Sequence, residues 1–284
     1  MHSPANVRYA KVDPATAVAS LFRPVCRGRR PKGLKVVSKF DGFNVMFTCY
    51  EWLDTVDQSV LLATVALAGM APATLTKHLQ GPIGKKLWKE LHPEQAAEGG
   101  SSLVVTTTRY ALLKAAGMST SKRDYQRLDE ILYRLSQVGC FVRKAGYSWS
   151  MNLLSFACEP DGTVHIALNE RFARAIFGHY VMVSLEERRR LKSDAAKILH
   201  AWLSAITRPG SESLAMGLDA LAVRIWGTGT KNKNTKHFRR KAVVKAIAEI
   251  EALGWKTERQ GRGERHQVRL KRPKAPDRFP RLSC

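Results

Sequence analysis

The sequence predicts an α+β fold of two tandem winged-helix domains, the first with an enlarged wing and an insertion, behind a basic N-terminal arm. Three observations carry that expectation. Residues 230–255 read as a basic arm followed by a helix with two unlike faces: Val243, Ala246, Ile247, Ile250 and Leu253 recur at helical spacing as a buried stripe. Asn234 or Thr235 suits its N-cap, and Gly254 suits its end. Next, WKTERQGRGERHQVRLKR reads as two short strands around Gly261-Arg262-Gly263, a hairpin with a basic tip. Finally, the order helix, short strand, short helix, long helix, hairpin occurs twice along the chain.

In order, residues 1–44 are rich in Pro, Arg and Lys and read as an extended arm with one strand over 34–37. The first domain is expected over 45–180, the second over 181–273, and a tail over 274–284. A helix over 57–68 takes Asp57 as its cap, and residues 71–101 read as an irregular insertion holding a short helix around 85–90. A β run over 103–106 and a short helix over 107–117 follow. Ser121 and Asp124 form a capping box that opens a long helix, stopping at Gly139. Strands are expected over 140–144, 148–156 and 163–168, separated by turns at Ala145-Gly146 and Asp161-Gly162. In the second half, a helix over 194–207, a β run over 214–216 and a helix over 218–226 lead to the basic helix and hairpin. The clearest local echo is QVGCFVRK against ALGWKTER, each a helix end at Gly followed by the first strand of a wing.

Composition narrows the function. The formal charge is +23, from 47 Lys+Arg against 24 Asp+Glu. The cations cluster with Asn, Thr, Gln and Gly rather than with exposed Trp and Leu, which favours nucleic acid over lipid. Five cysteines without a CxxC pair argue against a disulfide framework or a zinc site and for reduced thiols. The first ten residues are polar and suggest no signal peptide, and the longest apolar run, 60–70, is too short to span a membrane.

The candidate DNA-binding residues follow from charge placed on this pattern. His237, Lys241 and Lys245 lie opposite the buried stripe, Lys236, Arg239 and Arg240 crowd the first turns, and Lys231 and Lys233 precede them. Cations at a helix N-terminus oppose the macrodipole, so a polyanion against that end would offset their cost. Arg239, Arg240 and Lys241 are expected to read bases in the major groove, and Arg259, Arg262 and Arg265 of the wing to hold phosphate. Lys122, Arg123, Gln126 and Arg127 open the corresponding helix of the first domain and are expected to contribute more weakly. The bland alternative is a solvated amphipathic helix that happens to be basic.

The patterns that catalysis would need are incomplete in this sequence. His165-Ile166-Ala167 lacks the second His of a nicking enzyme's metal site, and neither Gly81–Lys86 nor Gly227–Lys231 meets the phosphate-loop pattern. No paired carboxylates stand out for acid–base or Mg²⁺ chemistry. A non-enzymatic protein without metal or cofactor is expected.

The segments VDPATAVASLFRP, VALAGM, HIALNERFARAIFGHY and LKSDAAKILHAWL, the helix over 110–117 and the basic helix ending in ALGW extend this reading. In their order and spacing the chain resembles the iteron-binding plasmid replication initiators of the RepC family of IncQ-type plasmids. The TrfA initiators are more distantly similar, mainly over the second half. The resemblance implies binding to directly repeated origin sites and help in opening the origin. Its implied partners are duplex origin DNA repeats and the plasmid's replicative helicase and primase, with a homodimer allowed and no membrane partner. It also implies a bacterial cytoplasmic protein associated with nucleoid or plasmid. The alternative function is a winged-helix transcriptional repressor.

Overall fold

Asp13 opens the first helix among the described residues, in a segment the sequence reads as an arm. In a computed structural model that describes residues 7–26, 28, 30–78, 81–261 and 267–274, residues of the expected arm are built into a folded unit. Tyr9–Val12 (β1) pairs antiparallel with Val181–Ser184, in register Tyr9 to Ser184. Asp13 accepts from the Thr16 N–H at 2.8 Å and caps Pro14–Val18 (α1), whose leading Pro lacks only an N–H the helix would leave unpaired. Lys32–Phe40 (β2) then turns through Asp41-Gly42 into Phe43–Glu51 (β3). Both turn residues have positive φ, 50° and 72°, as a two-residue hairpin loop requires. Leu34, Val36 and Ser38 of β2 and Val45, Phe47 and Cys49 of β3 alternate inward, so the hairpin has one buried face.

The packing of the chain divides it into Met1–Arg189 and Arg190–Cys284, nine residues beyond the expected boundary at 180/181. The reason lies in β1 and in Arg188. Val181–Ser184 belongs to the first unit through its pairing with β1. Arg188, 3% exposed, donates to the Thr55 carbonyl at 2.9 Å and to Ser59 Oγ at 3.1 Å.

In the first unit, Thr55–Met70 (α2) is capped by Asp54, and Asp57 stands at the third helical position to complete a capping box. The expected cap at Asp57 is therefore one turn late. Residues 71–101 also prove structural rather than irregular. Ala73–Leu75 (β4) joins a sheet, Pro82–Leu91 (α3) buries Leu87, Trp88 and Leu91, and Glu94–Gln95 (β5) edges another sheet. Ser102–Thr108 (β6) leads to Arg109–Ala116 (α4) and then to Lys122–Ser136 (α5), which ends three residues before Gly139. Gly139–Lys144 (β7) and Tyr147–Asn152 (β8) form a hairpin.

The strand expected over 148–156 is two strands, because the chain changes sheets at Leu153. Beyond it, Leu154–Cys158 (β9) pairs with Thr163–Leu168 (β10). The two main sheets of this unit have orders β2-β3-β7-β8-β5 and β4-β6-β10-β9. Glu170–Phe177 (α6), the strand Val181–Ser184 (β11) and Leu185–Arg190 (α7) complete it.

The second unit contains Asp194–Ile206 (α8), Met216–Gly217 (β12), Leu218–Trp226 (α9), Lys233–Glu251 (α10), Lys256–Gln260 (β13) and Gln267–Lys271 (β14). Its core gathers Leu199 and Leu203 of α8, Leu221 and Ile225 of α9, Val243, Ile247 and Ile250 of α10, Trp255 just before β13 and Leu270 of β14. Its strand order is β12-β14-β13, and β6-β10-β9 repeats that order in the first unit. The counterpart of the second unit's terminal hairpin is thus β9–β10. The expected echo between QVGCFVRK and ALGWKTER fails at the strand, since β7 pairs with β3 and β8 in the other sheet.

Candidate nucleic-acid interface

The long helix α10 has one face in the core of its unit and one in solvent. Val243, Ala246, Ile247 and Ile250 are buried. Asn234, His237, Phe238, Lys241 and Lys245 are exposed and recur at spacings of three and four, which stacks them on one outward stripe. The cap is Asn232, which accepts from the Thr235 N–H at 3.0 Å, so the helix starts earlier than Asn234 or Thr235 would place it. Lys233 consequently stands in the first turn, which holds no acidic residue.

Not every expected cation joins that stripe. Arg240 donates through Nε and Nη2 to the two carboxylate oxygens of Asp219 on α9, both at 2.7 Å. Lys236 lies 3.2 Å from the same carboxylate. The hydrogen bonds from Arg240, joined by Lys236, hold Asp219 below the usual carboxylate range despite slight burial. Arg239 donates to the Thr228 carbonyl at 2.6 Å, and its guanidinium lies 5.2 Å from the Trp226 ring centroid. Arg239 and Arg240, expected to reach bases, here fasten the 227–232 loop and α9 to the start of α10. Lys241 remains on the exposed stripe beside His237 and Lys245. A cavity of about 150 Å³ opens beside Lys236, Arg239 and the 228–230 backbone.

In the adjoining hairpin, Arg259 turns back from the tip. Its Nη2 lies 2.8 and 3.0 Å from the two carboxylate oxygens of Glu251 at the end of α10. Arg262 and Arg265 lie outside the described residues. Lys231 and Lys233 are exposed.

The corresponding helix of the first unit differs. Ser121 caps α5 by accepting from the Asp124 N–H at 3.3 Å, and Lys122, Arg123 and Gln126 are exposed. Arg127 is half-exposed, 4.0 Å from Asp54. Hydrogen bonds from Ser119, then Ser121, hold Asp124 below its ordinary range. Near the base of α5, Arg134 lies 2.9 Å from Asp57, whose side chain is fully buried, and Arg30 bridges Asp57 at 3.1 Å and Asp54 at 2.5 Å. Burial and the neighbouring Asp54 charge push the Asp57 carboxyl up, against the pull of Arg134 and Arg30. This cluster clamps α5 and the segment before β2 to the start of α2.

Sequence reasoning missed Phe238. It is 66% exposed, in the middle of the outward stripe. Its spacing of four from Asn234, three from Lys241 and seven from Lys245 was the signal that could have found it.

The sequence profile of the replication protein C (RepC) family matches residues 4–274. The chain belongs to the RepC family. No curated protein matches it. Among solved structures, a crystal structure of selenomethionine derivatives of domain 2 and domain 3 of RctB is 12% identical, with a TM-score of 0.54 over 92% of this chain and 99% of that one. A second RctB structure, of domains 2–3, is 10% identical with a TM-score of 0.47, covering 90% and 96%. The first likeness bears on the fold: a mixed α and β chain arranged as in those RctB domains. Among the described residues of this RepC-family chain, no helix is long and apolar enough to cross a membrane, and no group of three or more His, Cys, Asp or Glu could hold a metal ion.

Proposed function

We propose that this RepC-family protein is a plasmid replication initiator that binds repeated sites in its origin as duplex DNA. Each unit acts as a winged helix, with α10 entering the major groove and α5 lying on the duplex more weakly. The observation that carries this reading is α10 itself. Its 19 residues hold six Lys and Arg against two Glu, and its exposed stripe combines amide, imidazole, phenyl and ammonium groups beside a hairpin. The order α8–β12–α9–α10–β13–β14, with strands β12-β14-β13, supports the winged-helix reading of the second unit. In the first unit, β6-β10-β9 after α2, with α4 and α5 between β6 and β9, supports the same plan with β7–β8 inserted.

The protein acts without catalytic turnover. Two modules on one chain raise each other's effective concentration on a repeat array. Bending such sites stores roughly 1–6 kcal/mol each by elastic estimates, which favours melting of a neighbouring AT-rich tract. Helicase and primase then load on the exposed strand, and the protein acts in the bacterial cytoplasm.

Footprinting of full-length protein on the DNA flanking its gene tests the proposal. Protection of tandem repeats beside an AT-rich tract, with permanganate sensitivity in that tract and neither ATP hydrolysis nor nicking, is expected. Protection of a single inverted repeat over a promoter would instead make it a repressor. Nicking with a covalent protein–DNA adduct would overturn the non-enzymatic reading.

A further inference from the structure

We infer that Phe238 reads a thymine through its C5-methyl group, so that the repeat carries a T·A pair under the second turn of α10. The inference rests on the DNA-binding reading and deepens it. A phenyl ring 66% exposed among Asn234, His237 and Lys241, with Val244 the next exposed apolar side chain at 38%, does nothing for the core of its unit, which the opposite face of α10 fills. It sits one turn after Asn234 and one turn before Lys241, with His237 beside it. Side chains at those positions share the surface that a helix presents to the groove floor.

A phenyl ring neither donates nor accepts a hydrogen bond, so it cannot recognise guanine O6 and N7, cytosine N4 or adenine N6 and N7. The thymine methyl is the apolar feature that the major-groove edge displays, and Phe is a side chain suited to it. The ring is already exposed before binding, so its apolar surface leaves water only when the duplex arrives. With Arg239 and Arg240 held by Thr228 and Asp219, Phe238 becomes a principal source of base preference on this helix.

The test removes the methyl and keeps everything else. Full-length protein first selects its preferred duplex from a random library. Each thymine of that duplex is then replaced singly by deoxyuridine, and affinity is measured by fluorescence anisotropy at one salt concentration. At one position the wild type should lose about fourfold, the change produced by burying one methyl-sized group. Phe238→Ala should bind the thymine duplex more weakly than wild type and respond equally to thymine and uracil there, while Phe238→Leu keeps part of the response. The exposed ring should leave the melting temperature of Phe238→Ala within a degree or so of wild type, on the scale of small surface changes. A wild type indifferent to uracil at every position overturns the inference alone, as does a Phe238→Ala protein that still discriminates. Failure to enrich any duplex overturns the DNA-binding reading beneath it.

Discussion

The helices α5 and α10 occupy the same place in the element order of their units, yet they use charge in opposite directions. On α5, four Lys and Arg stand against three carboxylates, and Arg134 and Arg127 face the buried Asp57 and the partly buried Asp54. On α10, six Lys and Arg stand against two carboxylates, with Lys241 and Lys245 on the exposed stripe. The hairpins diverge likewise. The turn between β9 and β10 carries Glu159 and Asp161, whereas the sequence between β13 and β14 carries Arg262 and Arg265. On α5 the cations nearest Asp57 and Asp54 hold the first unit together, whereas on α10 Lys241 and Lys245 stay exposed while Lys236 and Arg240 pair with Asp219 and Arg239 binds Thr228. A formal charge of +23 is therefore a poor map of where DNA would sit.

That contrast sets the order of expected effects. The largest is Asp57→Ala, which leaves Arg134 and Arg30 facing each other across a buried site. Removing one partner of such a cluster costs about 3–5 kcal/mol, to be read from urea denaturation of the full chain. An unchanged midpoint would mean that the first unit's cations are not structural. Next is Lys241→Ala with Lys245→Ala. This pair should melt within about 0.5 kcal/mol of wild type and lower the salt slope of DNA binding by about 2, one for each phosphate that is no longer neutralised.

Lys122→Ala with Arg123→Ala should lower the slope by less. Equal reductions from the two pairs would erase the distinction between the helices. Smaller still, Arg240→Ala removes one partner of Asp219, and Asp219→Ala removes the partner of both Arg240 and Lys236; each should cost about 0.2–1 kcal/mol in thermal melts, Asp219→Ala the more.

The smallest effect is on pH. Asp219 titrates below its ordinary range when folded, so its contribution is present above the unfolded value, about 3.9, and is lost as pH falls through the folded one. The difference in urea midpoint between wild type and Asp219→Asn should therefore shrink only on acidification below about pH 4. A difference that shrank between pH 8 and 6 would assign the effect to another group.

What could be read from sequence follows from how local each signal is. Residues 218–226 were legible as a helix to the residue, because apolar spacing and the closing Gly227 are contained within the element. The basic helix was legible too, apart from a cap set two or three residues late. The arm was misread because Pro and Arg around residues 23–31 obscured the Asp41-Gly42 turn and the alternation on either side of it. Short β4 and β5 have meaning only beside partners far along the chain. In the site, exposure of Lys241 and Lys245 followed from periodicity. The engagement of Arg240 did not, since Asp219 lies 21 positions earlier on another helix.

The pairing of β1 with β11 also sets a timetable for the ribosome. Tyr9–Val12 is synthesised well before its partner Val181–Ser184, which follows only after most of the first unit. At about 5–20 residues per second, that interval is roughly 10–30 s. For that period the first strand's N–H and C=O groups have no native partner, and the nascent unit is an open sheet edge. A holdase that covers such edges, or a slower translation rate, should change the yield of folded protein more than any substitution on α10 does.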